Sequence, residues 1–371
     1  MTAAAGNGRA CSVLITGGAG FVGVNLAAHW LAGGERVRIL DSLIRPGSER
    51  NLEWLQQHYS DRLDFVHADV RSPHAVATAM QGVEHVVHLA AQVAVTSSLV
   101  NPVFDFDVNA SGTLNVLEAA RRSVRAPSLI FTSTNKVYGG LEDLRLRAEG
   151  QRYMPLTERV RARGIDESRG LDFHSPYGCS KGAAEQYVLD YSRSFGLRTT
   201  VFRMSCIYGP HQNGNEDQGW VAHMIRKALA REPITIYGDG RQVRDVLFVD
   251  DLVDAFAKAR HDIDKLSGRA FNIGGGAGNT VSLLELIRQL EQLLERRVAL
   301  SFDGWRIGDQ RYYVSDTGRF QAATGWQPRT EIASGIEALC DWLASSEPQL
   351  SYGHMAASAA PMDAGRLGVS G

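Results

Sequence analysis

Long apolar runs are absent from this chain. No apolar stretch reaches 18 residues, so the sequence offers no membrane span. The opening "MTAAAGNGRA" lacks the apolar core of a secretory leader and is not read as one. Cysteine is scarce. Cys11, Cys179, Cys206 and Cys340 form no C-x-x-C pair, so neither a zinc-type cluster nor a disulfide framework is expected. Each reads as a small buried hydrophobe carrying a reduced thiol, in a cytoplasmic protein. Excess charge of either sign is also missing. Lys and Arg number 39 against 41 Asp and Glu, a net charge of -2, which gives no reason to expect nucleic acid or an anionic membrane as a partner. Histidines and acids show no metal-ligand spacing, so no metal is expected. No internal repeat is evident.

What is present is a chain of 371 residues with 44% hydrophobic and 22% charged residues, ordinary values for a globular enzyme with a sizeable core. The first half alternates short β-rich runs with amphipathic stretches. Strands are predicted at 12–16, 36–40, 63–67, 84–90, 128–133 and 198–204. Strands separated by helices imply right-handed crossovers and a parallel sheet covered on both faces. The predicted fold is α/β: a Rossmann-type doubly wound parallel sheet with a smaller mixed α/β C-terminal substrate domain. After about Met204 the rhythm breaks into a Gly-rich polar loop, short strands around a Gly-Asp-Gly turn, and a helical period over 283–295. The predicted division is a cofactor domain over 1–204, to which 246–275 returns. A second domain comprises 205–245 and 276–346, and a loose tail covers 347–371.

"TGGAGFVG" follows the first strand directly. Gly18, Gly20 and Gly23 satisfy G-x-G-x-x-G, and Gly17 adds an earlier glycine. Such a turn needs no Cβ where backbone meets a pyrophosphate, and the anion then sits at the start of the next helix, here from Phe21 and Val22. An acid closes the second strand: Asp41. A carboxylate there accepts from ribose hydroxyls and repels a 2′-phosphate, which favours NAD, although Arg45 nearby argues mildly the other way. The bland alternative is that Asp41 only caps a loop. Asp69 and Val70 end the third strand and could face the adenine; Asp69 could equally cap the helix that follows. Leu89, Ala90 and Ala91 end the fourth strand, where small residues let the backbone approach the cofactor. His88 just before them reads as a satisfied core histidine.

"SPYGCSKGAAEQY" places Tyr177 and Lys181 four residues apart, on one helix face. A phenol ionises near pH 10, too high for a base at neutrality. The neighbouring ammonium is expected to lower that value, as would an oxidised nicotinamide, making a base for a carbinol that loses hydride.

With these motifs in order, the sequence resembles the extended short-chain dehydrogenase/reductase family from Cys11 to about Ser346. The resemblance implies a Thr134–Tyr177–Lys181 triad, NAD as cofactor, and a nucleotide-diphospho-sugar substrate held between two domains. It implies that Arg244 and Arg311 meet the diphosphate; the alternative for both is a surface ion pair with an acid such as Asp245 or Asp309. It also implies a homodimer or homotetramer, with 103–122 and 176–196 as interface helices. Longer strings, "RPGSERNLEWL", "STNKVYGG" and "DQGWV" among them, are similar to one branch that epimerises a CDP-activated sugar at C2. The reaction so implied is CDP-paratose to CDP-tyvelose, or a related sugar, by transient oxidation and hydride return. Another sugar 4-epimerase or a net NAD-dependent oxidoreductase is the alternative. In "STNKVYGG" an amide and a cation follow Thr134, whereas a dehydratase of the family carries an acid pair there and a decarboxylase a glutamate. Asn135 is expected to touch a sugar hydroxyl or keto oxygen. Lys136 either faces the substrate or is merely solvated. Gln92 and Gln212 are further candidate sugar-side contacts.

Overall fold

The computed structural model describes residues 11–306, 308–347 and 350. Five strands open the chain: β1 (Cys11–Thr16), β2 (Val37–Asp41), β3 (Leu63–His67), β4 (Val83–His88) and β5 (Ser128–Thr134). A hairpin follows, β6 (Leu146–Glu149) and β7 (Arg152–Pro155), then β8 (Thr199–Met204) and the short β9 (Cys206–Tyr208). The remaining strands are β10 (Ile234–Tyr237), β11 (Val243–Phe248), β12 (Arg269–Ile273), β13 (Thr280–Ser282), β14 (Leu300–Asp303) and β15 (Tyr312–Tyr313). The main sheet has seven strands in the order β12-β8-β5-β4-β1-β2-β3, all parallel. Its strand order reverses beside β1, where the chain steps outward to β2 on one side and to β4 on the other; ligands of such sheets bind in the crevice at that reversal.

The near-continuous apolar character of the central strands has the expected cause. Val13, Leu14, Ile15 and all of β5 are buried, because helices cover both faces. One apolar cluster gathers Val24, Leu31, Ile39, Phe202 and Phe256, and another, holding Leu14, Val86, Val116, Phe131 and Val188, fills the opposite face. β12, absent from the strands predicted by pattern, extends the sheet through β8.

The later strands pair differently. β10 and β11 flank the Gly-Asp-Gly turn yet pair elsewhere. β10 runs parallel to β14; β11 runs antiparallel to β13 and parallel to β15 and β9. A third cluster (Ile225, Ile236, Val246, Leu286, Leu339) packs these strands against three helices. The β6–β7 hairpin lies across this region: Arg152 pairs with Glu285 at 2.8 Å and the Tyr153 hydroxyl donates to Asp239 at 2.7 Å. Of the predicted tail over 347–371, all but Glu347 and Leu350 lie outside the described residues. Among the described residues no helix is long and apolar enough to cross a membrane.

Candidate active site

The glycine turn is built by close backbone approach. Gly17 has φ +72°, and a Cβ on it would lie 2.7 Å from the Ala90 nitrogen at the end of β4. A Cβ on Gly23 would lie 2.4 Å from the Gly17 carbonyl oxygen. The helix Phe21–Ala32 therefore starts hard against the turn, its first N–H groups directed at the crevice. Phe21 and Val22 open that helix half-buried. Asp41 accepts from the Ala19 N–H at 3.0 Å and the Leu43 N–H at 2.9 Å, one bond to each oxygen. Burial raises its pKa against those bonds. Each carboxylate oxygen has a second lone pair for a ribose hydroxyl. Small residues at the approach, an acid at the end of β2 and a helix start between them fit a dinucleotide.

Val70 is buried against Gly112, where a Cβ would come within 2.8 Å of it. Asp69 does not cap the following helix. Ser72 does so, accepting from the Ala75 N–H at 3.4 Å, because Asp69 is held by the Arg71 guanidinium, with its nearest contact at 2.8 Å. Leu89, Ala90 and Ala91 are half-buried at the end of β4, with the Leu89 N–H on the Thr16 carbonyl at 3.0 Å. His88 is fully buried, hydrogen-bonded through Nδ1 to Thr16 at 2.6 Å and through Nε2 to Thr113 at 2.9 Å. The Thr113 hydroxyl donates onward to the Asn109 carbonyl, so Nε2 carries the ring proton and the imidazole is neutral. Burial pushes its pKa down to about 3.

Thr134 ends β5, and Tyr177 and Lys181 sit one turn apart on the helix Ser175–Phe195, which Pro176 starts. The structure brings the three together. Thr134 acts on the Tyr177 phenol in the direction of its charged form, while its own hydroxyl donates to the Asn135 amide oxygen at 3.3 Å. The Lys181 ammonium lies 4.3 Å from the centre of the Phe131 ring. Both groups are buried, and burial works against charge on each. It pushes Tyr177 up to about 12 and Lys181 down to about 7, the carboxylates of Asp105 and Glu185 opposing the second shift. Of the two influences expected to lower the phenol, the lysine is not among the groups that act on it here, and desolvation outweighs the lowering by Thr134 and Arg45.

Two acids beneath the triad carry no simple sequence signal. Asp105 is fully buried and accepts from Ser180 at 2.5 Å and Asn109 at 3.2 Å. Asn109 belongs to a π-helical turn, Asp107–Ser111, between Pro102–Phe106 and Gly112–Arg122. Glu185, one turn beyond Lys181, takes a proton donor from Ser133 at 2.7 Å and is forked by Arg203.

On the facing side, Arg244 is buried and pairs with Asp309 at 2.5 Å. The ion-pair alternative is therefore half right: the pair exists, but in the interior. Asp245 is buried separately and accepts from Ser205 and the Gly276 N–H. Arg311 is exposed and lies over Trp305 and Tyr153, with ring centres at 5.3 and 5.8 Å. Asn135 is buried; its amide donates to Gln310 at 3.4 Å and accepts from Thr134 at 3.3 Å. Lys136 is half-buried rather than free in solvent. Its ammonium donates to the Gly308 carbonyl at 2.9 Å, and burial and Arg244 push it down to about 8. Gln92 folds onto its own loop, bonding the Ala94 carbonyl at 2.8 Å and the Ala94 N–H at 2.5 Å. Gln212 is buried, with Nε2 on the Ile207 carbonyl at 3.0 Å and Oε1 without a partner among the described residues. Cys179 is exposed and Cys340 buried, so burial does not hold for every thiol.

A clasp joins the two sides. Arg45 donates to Gln218, Arg50 to Asn213 at 2.8 Å, and Asn25 to the Pro210 carbonyl at 3.0 Å. Asn51 bridges the Ala19 carbonyl in the glycine turn at 3.1 Å and the His211 carbonyl at 3.4 Å. Trp54 and His211 meet with ring centres 4.6 Å apart. The charge on Arg45 favours the charged form of both Asp41 and Tyr177.

Comparison with known proteins agrees with this geometry. The chain is 42% identical over 340 residues to the CDP-paratose 2-epimerase of Salmonella typhi, covering 90% of this chain and 99% of that one. It is 32% identical to the UDP-glucose 4-epimerase of Mycolicibacterium smegmatis, over 87% and 95% of the two chains. Among solved structures, the UDP-glucose 4-epimerase of Thermus thermophilus in complex with NAD superposes with a TM-score of 0.76 at 30% identity, covering 90% of this chain and 99% of that one. Residues 13–274 match the model of the NAD dependent epimerase/dehydratase family. With a glycine turn built to meet a dinucleotide and a Thr–Tyr–Lys group beside it, the chain belongs to the NAD-dependent epimerase/dehydratase family.

Proposed function

We propose that this protein epimerises a CDP-activated sugar at C2, converting CDP-paratose to CDP-tyvelose or acting on a close relative. The observation that carries the reading is an amide and an ammonium, with no carboxylate, at the two positions after Thr134, in a chain matched nearly end to end by a CDP-paratose 2-epimerase. A dehydratase of the family uses a carboxylate pair at those two positions, and Asn135 and Lys136 provide no carboxylate.

When bound, NAD would supply the hydride acceptor for oxidation at C2 and, once the keto sugar has turned over in the crevice, the donor for its reduction on the opposite face, so no net redox change would result. The chain's part is proton handling and grip. Tyr177 takes the hydroxyl proton and later gives it back; Thr134 orients the same oxygen. The positive nicotinamide ring adds to Arg45 in favouring phenolate over phenol. Asp41 would hold the adenosine ribose, the turn Gly17–Gly23 the pyrophosphate, and Asp69, Val70 and Leu89–Ala91 the walls around the adenine and nicotinamide. Arg244 and Arg311 would hold the substrate's diphosphate, a match of planar guanidinium to phosphate oxygens. Gln212 and the remaining Asn135 amide hydrogen would meet sugar hydroxyls; Gln92 would contribute through its backbone, its side chain being turned to Ala94. In this reading residues 1–204 with 246–275 hold the cofactor, and 205–245 with 276–346 hold the nucleotide sugar.

The same reading includes a homodimer, or a homotetramer built from it. Val100, Val103 and Phe106 are 86%, 68% and 54% exposed, and Tyr187 and Phe195 on the neighbouring long helix about half so, a large apolar surface for a lone chain. Sedimentation should give a species of at least two chains. Free thiols at Cys179, Cys206 and Cys340 support a cytoplasmic, reducing setting.

The deciding experiment is product analysis by NMR over a panel of CDP-, UDP- and GDP-sugars without added NAD. Interconversion of CDP-paratose and CDP-tyvelose, with no net absorbance change at the nicotinamide band and no deuterium entering C2 from heavy water, is expected. Turnover of UDP-sugars alone, at C4, would overturn the assignment.

A further inference from the structure

The segment between β14 and β15 touches the end of β5 at three points. Gly308 accepts from the Lys136 ammonium at 2.9 Å, Gln310 accepts from the Asn135 amide at 3.4 Å, and Gln310 donates to the Gly139 carbonyl at 2.7 Å. Gln310 is fully buried although it lies next to the exposed Arg311. Between these points Asp309 takes Arg244 at 2.5 Å. One short segment thus carries a partner for each of three residues from elsewhere: Asn135, Lys136 and Arg244. The two charge-assisted bonds, to Lys136 and Arg244, are partly buried, and the two neutral amide bonds of Gln310 are buried; such bonds fix geometry, since a freed partner would lose its bond without regaining full solvation.

We propose that Lys136 and Gln310 are positioning residues that set the spacing between the diphosphate grip (Arg244, Arg311) and the reacting oxygen at Thr134 and Tyr177, and so select which sugar carbon reacts. The proposal rests on the nucleotide-sugar reading above. The diphosphate is bonded to C1. C2 is the next carbon, whereas C4 lies across the ring. With the diphosphate held fast, a grip drawn in toward β5 presents C2 to the triad, and a grip farther away presents C4. Lys136 and Gln310 draw it in.

The test uses the full-length, NAD-loaded protein and the variants Lys136→Met and Gln310→Leu, singly. Hydrogen exchange of the amides 304–311 reads the tie without any substrate and should quicken about tenfold in either variant. Titration with CDP reads the grip and should weaken about tenfold. With CDP-paratose deuterated at C2, the variants should lose more kcat than the weaker binding explains, with bound NAD unchanged and Lys136→Arg restoring part of the rate. Unchanged exchange over 304–311 in both variants overturns the tie, whatever the enzyme turns over. Faster exchange with unaltered kcat and unaltered CDP affinity makes the tie merely structural and overturns the positioning role. A wild-type protein that ignores every CDP-sugar refutes the substrate reading instead, and the exchange result then stands by itself.

Discussion

Gly17 and Ala90 meet backbone to backbone, at the ends of two adjacent parallel strands. Asn135 and Gln310 meet side chain to side chain across 175 positions of sequence. The proposed cofactor side is built round contacts of the first kind: a parallel ladder, a helix start and a turn too tight for a Cβ. The proposed substrate side is richer in the second: short strands in small sheets, joined by ion pairs and amides. The difference teaches where change is tolerated. A ladder that serves one dinucleotide has little room to vary, while a wall made of individual side chains can be reset residue by residue for another sugar.

The sharpest way to separate the two sides is Tyr177→Phe. It removes the proton acceptor but neither wall, so turnover should fall by about a thousandfold or more while bound NAD, read by its absorbance after denaturation, stays. Retained turnover would sink the base assignment. Asp41→Ala attacks the other side. Loss of hydrogen bonds to a charged group should lower NAD affinity at least about tenfold, with CDP binding untouched; equal occupancy would refute the ribose role. Acid probes the ladder itself. His88 is neutral and buried, with its pKa depressed from 6.5 to about 3. The unfolded chain therefore binds the proton first as pH falls, and stability present above pH 6.5 should drop by about 1.4 kcal/mol per pH unit below it. Urea titrations at pH 7 and pH 5 read this, and in His88→Asn the slope should flatten; an unchanged slope would assign the acid sensitivity elsewhere. The mildest intervention is Arg45→Ala with Arg50→Ala, which opens the clasp at two points. NAD loss on dilution should quicken about threefold, and an unaltered rate would show that the clasp does not gate the crevice.

How far these features could be read from sequence follows the same division. The strands at 12–16 and 128–133 announced themselves as apolar runs, because parallel strands inside the sheet are buried on both faces. Tyr177 and Lys181 were visible because one helical turn is a fixed spacing. Gln310 was not visible, since nothing in a linear pattern links it to Asn135. Only its place beside Arg311 hinted at a role. For Lys136 the choice between a site residue and a solvated cation stayed open, because its partner, a carbonyl of Gly308, has no side chain to betray it. The phenol's pKa was misjudged for another reason: spacing shows which charges are near, but not how little water remains around them.

The clasp has one more consequence. If the crevice closes over NAD when the chain folds, each molecule carries a private oxidising equivalent that it lends and recovers. Its rate would then be insulated from the ratio of oxidised to reduced nicotinamide around it, and its active fraction would be decided at assembly. We expect protein refolded with NADH to stay silent long after NAD is added. Prompt recovery would show a pool that exchanges freely.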